Sequence, residues 1–174
     1  QMYQYLVRTD DRDVIRYLRL LTLVPLEEID ELEHSLRSRP EAREAHRRLA
    51  YEVTLMVHGP EAANSARRAS QVLYGEEIVE MTDALLQEIF FDVPYTPVTK
   101  DALSRGISAV EAFHRSGLSS SRSEARRLIQ QGGAYVNNRR IDSPEHILTT
   151  DSLASAHFIV LRKGKKEYHL LKVL

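Results

Sequence analysis

The chain has 174 residues, 24 Lys+Arg against 25 Asp+Glu, and neither Cys nor Trp. That length allows one or two domains with a modest core, and the missing cysteines exclude disulfides and thiolate metal sites, which fits a reducing compartment. No apolar run reaches transmembrane length, and Gln1-Met2-Tyr3-Gln4-Tyr5 has neither the basic leader nor the apolar core of a signal peptide; it reads as a chain entered midway.

Charge is unevenly spread along the sequence. Residues 100–174 carry 13 basic and 7 acidic side chains, a net +6, and residues 1–99 carry 11 and 18, a net −7. The asymmetry points to two domains and to an anionic partner for the second. Chance segregation of solvated charge is the plainer alternative.

In chain order, Val14, Ile15, Leu18, Leu20 and Leu21 recur at helical spacing, with Asp10-Asp11 ahead of them as cap and acidic first turn. Pro25 restarts the pattern, and Leu26, Ile29, Leu32 and Leu36 form a second, acidic helix. Pro40 opens a third, where its missing N–H costs nothing. That helix runs through Ala42, Ala45, Leu49, Val53, Leu55 and Met56 to a cap at His58-Gly59. Pro60 begins an Ala-rich fourth helix ending at Tyr74-Gly75, and Glu76-Glu77 begin a fifth through Ile78, Met81, Leu85 and Ile89. Amphipathic helices with short connections make a bundle. Residues 92–99 contain Pro94 and Pro97 and read as a semi-rigid linker.

Beyond the linker, Ile107, Val110, Phe113 and Leu118 fit a helix ending at Ser116-Gly117. A Ser cluster then opens a short helix with Ala125, Leu128 and Ile129 on one narrow apolar face. Gly132-Gly133 stops it, Ala134-Tyr135-Val136 read as a strand, and Asn137-Asn138 as a turn. Residues 141–148 form an irregular bridge. Residues 158–162 and 167–173 are strands joined by the cationic turn from Arg162 to Lys166.

Catalytic patterns are poor. The seven histidines fall in no metal spacing, Gly132-Gly133 lacks the phosphate-loop lysine and preceding strand, and Ser119-Ser120-Ser121 has no partner base. Asp10 and Asp11 are a possible carboxylate pair, and helix capping accounts for them equally. The basic elements say more. Arg122 and Arg126, like Ser123 and Arg127, are four residues apart and form adjacent rows on one helix surface. Arg139, Arg140 and the 162–166 turn add charge on loops, so the element from Leu118 to Arg140 is expected to bind RNA through phosphates. An ordinary solvated helix with paired charges is the competing reading.

The run S-R-S-E-A-R-R-L-I-Q-Q-G-G-A-Y-V-N-N at 121–138 resembles the helix–turn–strand signature of the RNA-binding domain named after ribosomal protein S-four. Residues 3–22 (Y-Q-Y-L-V-R-T-D-D-R-D-V-I-R-Y-L-R-L-L-T), 40–59 and 66–75 resemble the segments that follow the catalytic core of bacterial-type tyrosyl-tRNA synthetases. The closing V-L-R-K-G-K-K-E-Y-H-L-L-K-V is similar to that family's C-terminus. The resemblance covers essentially the whole chain in the family's order. Ala134 departs from the Val usual there, which slightly lowers strand propensity.

The resemblance implies an α+β chain. A helical anticodon-binding domain would span 1–91, a linker 92–104, and a small S-four-like RNA-binding domain with a short antiparallel sheet 105–174. It implies binding of tRNA(Tyr) at the anticodon region and the long variable arm. Arg122, Arg126, Arg127, Arg139, Lys163, Lys165 and Lys166 would grip phosphates, and Ser123, Gln130, Asn137 and Asn138 would add neutral hydrogen bonds. Asp10 or Asp11 would accept from the wobble guanine, and structural capping competes with that role for both. The family's two ATP-site signatures and tyrosine pocket do not occur in these residues. No catalytic residue, metal or cofactor is therefore expected in this chain, ATP and tyrosine belonging to a catalytic domain outside it. A cytoplasmic location, no membrane contact, and a monomer in a family whose full-length members are homodimers complete the expectation. A ribosome- or rRNA-binding module sharing the back half is the alternative.

Overall fold

The computed structural model describes residues 2–174; Gln1, the first residue of the stretch read as unlike a signal peptide, lies outside them. The chain divides into two compact units, one reaching to Gln71 and one spanning Val72–Leu174. The first is helical: α1 (Met2–Val7), α2 (Val14–Leu21), α3 (Leu26–Ser38) and most of α4 (Glu44–Leu73). Val14 and Leu18 of α2, Ile29 of α3, and Ala45 and Leu49 of α4 form one buried cluster with Val24. Complete burial of Leu18, Ile29 and Leu49 stabilises this unit by about 1.5–3 kcal/mol for each. α1 packs through Tyr3, Leu6 and Val7 on Ala50, with Ala66 at the margin.

The break expected at His58-Gly59-Pro60 is present as a kink. Gly59 has φ +83° and ψ 174° inside the otherwise continuous α4, where Pro60 can donate no helical hydrogen bond. Pro40 opens a single 3-10 turn, and α4 starts only at Glu44, after Arg43 turns left-handed at φ 49°.

The second unit contains α5 (Asp83–Ile89), β1 (Tyr95–Val98), α6 (Lys100–Arg105), β2 (Ile107–Ser108), α7 (Ala109–Arg115), α8 (Arg122–Gln130), β3 (Ala134–Val136), β4 (Arg139–Arg140), β5 (Ile147–Leu148), β6 (Phe158–Lys163) and β7 (Glu167–Val173). The main sheet runs β1-β7-β6-β3-β4, with β1 parallel to β7 and the other neighbours antiparallel; β2 and β5 form a separate pair. Both faces of the main sheet are covered. Ile159 and Leu161 of β6 pack with α6, α7 and α8, whereas the alternating Phe158 and Val160 pack with Val72, Ile78, Leu86 and Phe90. Two-sided burial explains why β6 reads as an unbroken apolar run. The whole is α+β.

Two differences from the sequence-based expectation stand out. The segment 92–104, expected as a linker, contributes β1 to the sheet, with Thr96 opposite Leu171 and Val98 opposite Val173. Pro97 is compatible because β1 is an edge strand. Residues 72–91, expected in the helical domain, bury Val72, Ile78, Leu86 and Phe90 in the second unit. The fifth helix starts only at Asp83, where Thr82 Oγ1 accepts from Leu85 N at 3.2 Å. Before it, Ile78 N donates to Asn137 O and Met81 N to Ala154 O, so the backbone bonds to loops and runs outside a helix.

The charge asymmetry therefore changes meaning. Residues 1–71 carry 11 basic and 12 acidic side chains, and residues 72–174 carry 13 of each. Acidic residues of the 76–92 segment accompany one face of the sheet and the cationic α8 covers the other. Polarity lies across one unit rather than between two domains.

Candidate nucleic-acid interface

The helix α8 is set by local signals. Ser121 Oγ accepts from Glu124 N at 3.1 Å, and Glu124 Oε2 accepts from Ser120 N at 2.7 Å and from the Ser120 hydroxyl. These are the reciprocal bonds of a helix N-terminus. Hydrogen bonds from Ser120, with Lys163 nearby, lower the Glu124 pKa to about 2. At the other end Gly132 adopts φ +70°, and a Cβ there would meet the Arg140 guanidinium at 2.4 Å. Ala125 and Ile129 are fully buried, which turns the remaining positions outward.

Arg122, Ser123, Arg126, Arg127 and Gln130 line one shallow groove of about 460 Å³ on the outer surface of α8. All five are exposed. Arg122 Nε is 2.8 Å from Glu111, and Glu145 feels the charge of Arg126. Among the described residues, Arg126 and Arg127 form no ion pair, and neither do Lys165 and Lys166 at the β6–β7 turn. The turn is joined to the end of α8 through Gly164 N donating to Gly133 O at 2.8 Å. Arg140 lies against Gly132 there, and its Nε is 2.7 Å from Asp142. The fold thus gathers the outer face of α8, Arg140 and the lysine turn, although Gln130 at the end of α8 and Lys165 of the turn are 35 residues apart in sequence.

Other expected contacts are occupied within the fold. Asn137 and Asn138 have φ of 50° and 62° and make the tight β3–β4 turn, in which both central residues are left-handed. Asn137 Nδ2 donates to Ser152 O at 2.7 Å and its Oδ1 accepts from Val160 N at 2.9 Å. Asn138 is buried, and its Nδ2 donates to Val72 O at 2.9 Å and Glu76 O at 2.8 Å. These amides fasten residues 72, 76 and 152 to the sheet, and the two hydrogen bonds of Asn138 Nδ2 use both of its donors. Lys163 Nζ donates to Leu118 O at 2.9 Å and lies 3.4 Å from Glu124, bracing the loop before α8. Arg139 pairs with Glu77 at 2.9 Å, away from Arg140, since consecutive strand residues diverge. Arg162, counted with the cationic turn, is buried; its guanidinium stacks 3.8 Å from the Tyr135 ring centroid and donates to Gly164 O.

Arg140 joins this surface although no motif singles it out in the sequence; the available signal is Gly132, against which its guanidinium lies. A glycine that stops a helix also leaves room for a side chain to lie against its backbone.

In the first unit, the two aspartates differ. Asp10 is closed on its own loop: Oδ1 accepts from Arg12 N and Nε, both at 2.9 Å, and Oδ2 from Nη2 at 3.1 Å. These bonds from Arg12 lower its pKa to about 2. Asp11 Oδ1 stands 3.0 Å from Nε2 of the fully buried His46 and 3.6 Å from Arg43. Among the described residues its Oδ2 has no partner, and the side chain is half exposed. Burial, reinforced by Arg43, pushes the His46 pKa down and keeps the imidazole neutral near pH 7. Arg43 itself is fixed by donating to Val7 O and Thr9 O.

Comparison with known proteins agrees with this architecture. Residues 86–171 match the tyrosine–tRNA ligase SYY-like C-terminal domain, and residues 1–75 match the class I tRNA synthetases (W and Y). The tyrosine–tRNA ligase of Rhodopirellula baltica is 44% identical over 172 residues, covering 98% of this chain and 39% of that protein. That of Geobacillus stearothermophilus is 41% identical over 174 residues, covering 99% and 40%. A solution structure of a tyrosyl-tRNA synthetase C-terminal domain is 35% identical, covers 54% of this chain and 91% of that one, and has a TM-score of 0.44. The chain spans about two-fifths of the length of the curated relatives it matches. Among the described residues no helix is long and apolar enough to cross a membrane. On these matches, the chain belongs to the bacterial-type tyrosyl-tRNA synthetase family and carries that family's C-terminal domain.

Proposed function

We propose that this chain is the tRNA-recognition portion of a tyrosine–tRNA ligase acting in the cytoplasm, and that it binds tRNA(Tyr) at the anticodon region and long variable arm. The observation that carries the reading is the outer face of α8. Among the described residues, Arg126 and Arg127 are exposed there without an ion pair, beside the Lys165 and Lys166 turn, which has none either, while Lys163 and Arg162 bond within the fold. Guanidinium groups on a rigid helix suit bidentate contact with phosphate oxygens. ATP and tyrosine are substrates of the family's catalytic part, and the contribution of this chain is to hold tRNA.

For the anticodon, the geometry favours Asp11 over Asp10. Asp10 spends both oxygens on Arg12, whereas Asp11 is anchored through Oδ1 and presents Oδ2. A carboxylate so held can accept from the ring N–H and amino group of guanine, with His46 and Arg43 as positioning residues.

Filter binding of tRNAs with and without a long variable arm, across a salt series, tests the assignment. The double variant R126A/R127A should bind more weakly, and its plot of log affinity against log salt should flatten by about 1 for each arginine removed. An unchanged affinity and slope overturns the α8 surface. Equal displacement of either tRNA by rRNA fragments returns the chain to the ribosome-binding reading.

A further inference from the structure

A second surface of the Val72–Leu174 unit has a different chemistry from α8. Between the end of α5 and the edge strand β1 lies a groove of about 320 Å³, lined by Gln87, Phe91, Tyr95 and Lys172 over a floor of Phe90 and Phe158. Two of its walls are aromatic and open to solvent: Phe91 is 78% exposed and Tyr95 58%. Aromatic side chains this exposed are unusual in a unit that buries Phe90, Phe113 and Phe158 almost completely. The Lys172 ammonium lies 5.4 Å from the Tyr95 ring centroid. An adjoining cavity of about 340 Å³ shares Gln87, Phe158 and Lys172 and adds Lys100 and His157.

We propose that the groove between Phe91 and Tyr95 receives an unpaired nucleobase of the bound RNA, with Lys172 and Lys100 taking the flanking phosphates. The inference rests on the tRNA-binding reading and assigns it a second, separate contact. Three features select a base over an apolar peptide. The exposed walls are flat rings suited to stacking, a sequence-tolerant contact used by single-strand binders. The groove carries Lys172, the Gln87 amide and the Tyr95 hydroxyl, and the adjoining cavity adds Lys100 and His157; the lysines complement phosphate and the amide a base edge. Among the described residues, Asp83 is the one acidic side chain lining either cavity, and it is already occupied, with Oδ2 2.6 Å from His157 Nδ1. A peptide adding a strand at β1 would meet Pro97, which has no N–H to offer.

The probe is a single-stranded RNA pentamer carrying one 2-aminopurine, titrated into the full chain with its fluorescence recorded. Stacking in the groove should quench the base. F91A and Y95A should each weaken pentamer binding about tenfold and abolish the quenching, and Y95F, which keeps the ring, should retain both. Phe91 and Tyr95 are exposed, so circular dichroism should match the unaltered chain. Pentamer binding and quenching that persist in F91A and Y95A overturn the proposal. So does quenching lost in R126A/R127A but kept in the aromatic variants, which would place the base on α8. An apolar octapeptide that binds in an F91-dependent way, with no pentamer binding, overturns it in favour of a protein partner. The two readings fail separately: the tRNA salt slope of R126A/R127A judges the α8 surface, and the pentamer judges the groove.

Discussion

Replacing Asn138 by Ala separates a structural amide from an RNA contact. In the fold, its Nδ2 bridges Val72 O and Glu76 O at 2.9 and 2.8 Å, and its backbone sits at φ 62°. Asn138→Ala removes two hydrogen bonds, each contributing about 0.5–1.5 kcal/mol. It also puts a Cβ without a compensating polar group into the left-handed region, at about 1 kcal/mol. The sum is about 2–4 kcal/mol. Asn138→Gly loses the same bonds without the steric cost and should fall about 1 kcal/mol short of the alanine variant. Because the chain has two units, the assay is native-state hydrogen exchange read at the amides of β6 and of residues 78 and 81. Protection should drop across the second unit and remain unchanged in α2 and α3. Folded at low temperature, the variant should bind tRNA with the salt slope of the unaltered chain. A loss of less than 0.5 kcal/mol, or a normal fold with a strongly reduced RNA affinity, refutes the structural assignment.

The Glu124 carboxylate predicts an acid-sensitive cap. Its folded pKa, about 2, lies below the ordinary 4.5, so the stabilisation it gives α8 is present above about pH 4.5 and lost as pH falls toward 2. Amide exchange of α8 between pH 5 and pH 2 should show the loss, and Glu124→Gln should remove that pH dependence; a cap insensitive to both contradicts the geometry. For the anticodon reading, Asp11→Asn should weaken binding of tRNA bearing a wobble guanine about tenfold more than binding of an inosine-bearing counterpart that lacks the amino group, with Asp10→Asn near neutral. The reverse order, measured by filter binding, rejects the choice of Asp11.

Much of the local structure was legible because the signals are local. Ser121, Glu124 and Gly132 bound α8 by capping chemistry, Gly59-Pro60 breaks α4, and Asn137-Asn138 marks a tight turn whatever lies around it. The exposed arginines of α8 were legible for a related reason: Ala125 and Ile129 fix the buried face of a helix, and the other positions follow from its period. Residues 76–98 were not legible. Ile78, Met81 and Leu85 satisfy a helical spacing, yet the backbone of 78 and 81 donates to loop carbonyls about sixty residues or more away. The prolines at 94 and 97 exclude helix interior but leave an edge strand open, and only β7 supplies the partner.

By itself, then, the sequence determined most of the helices of the first unit, the capping and cationic face of α8, and the family, since each depends on residues near one another or on motifs kept in order. The tertiary structure alone decided that the units divide at Gln71 and Val72, and that opposite charge sits across one sheet. It also decided which polar side chains stay free. Asn138 and Lys163 look from sequence like RNA ligands of the same standing as Arg127, but distant backbone carbonyls reach them first. A hydrogen-bonding side chain has few donors, and whether they face water or the fold depends on contacts that no local pattern encodes.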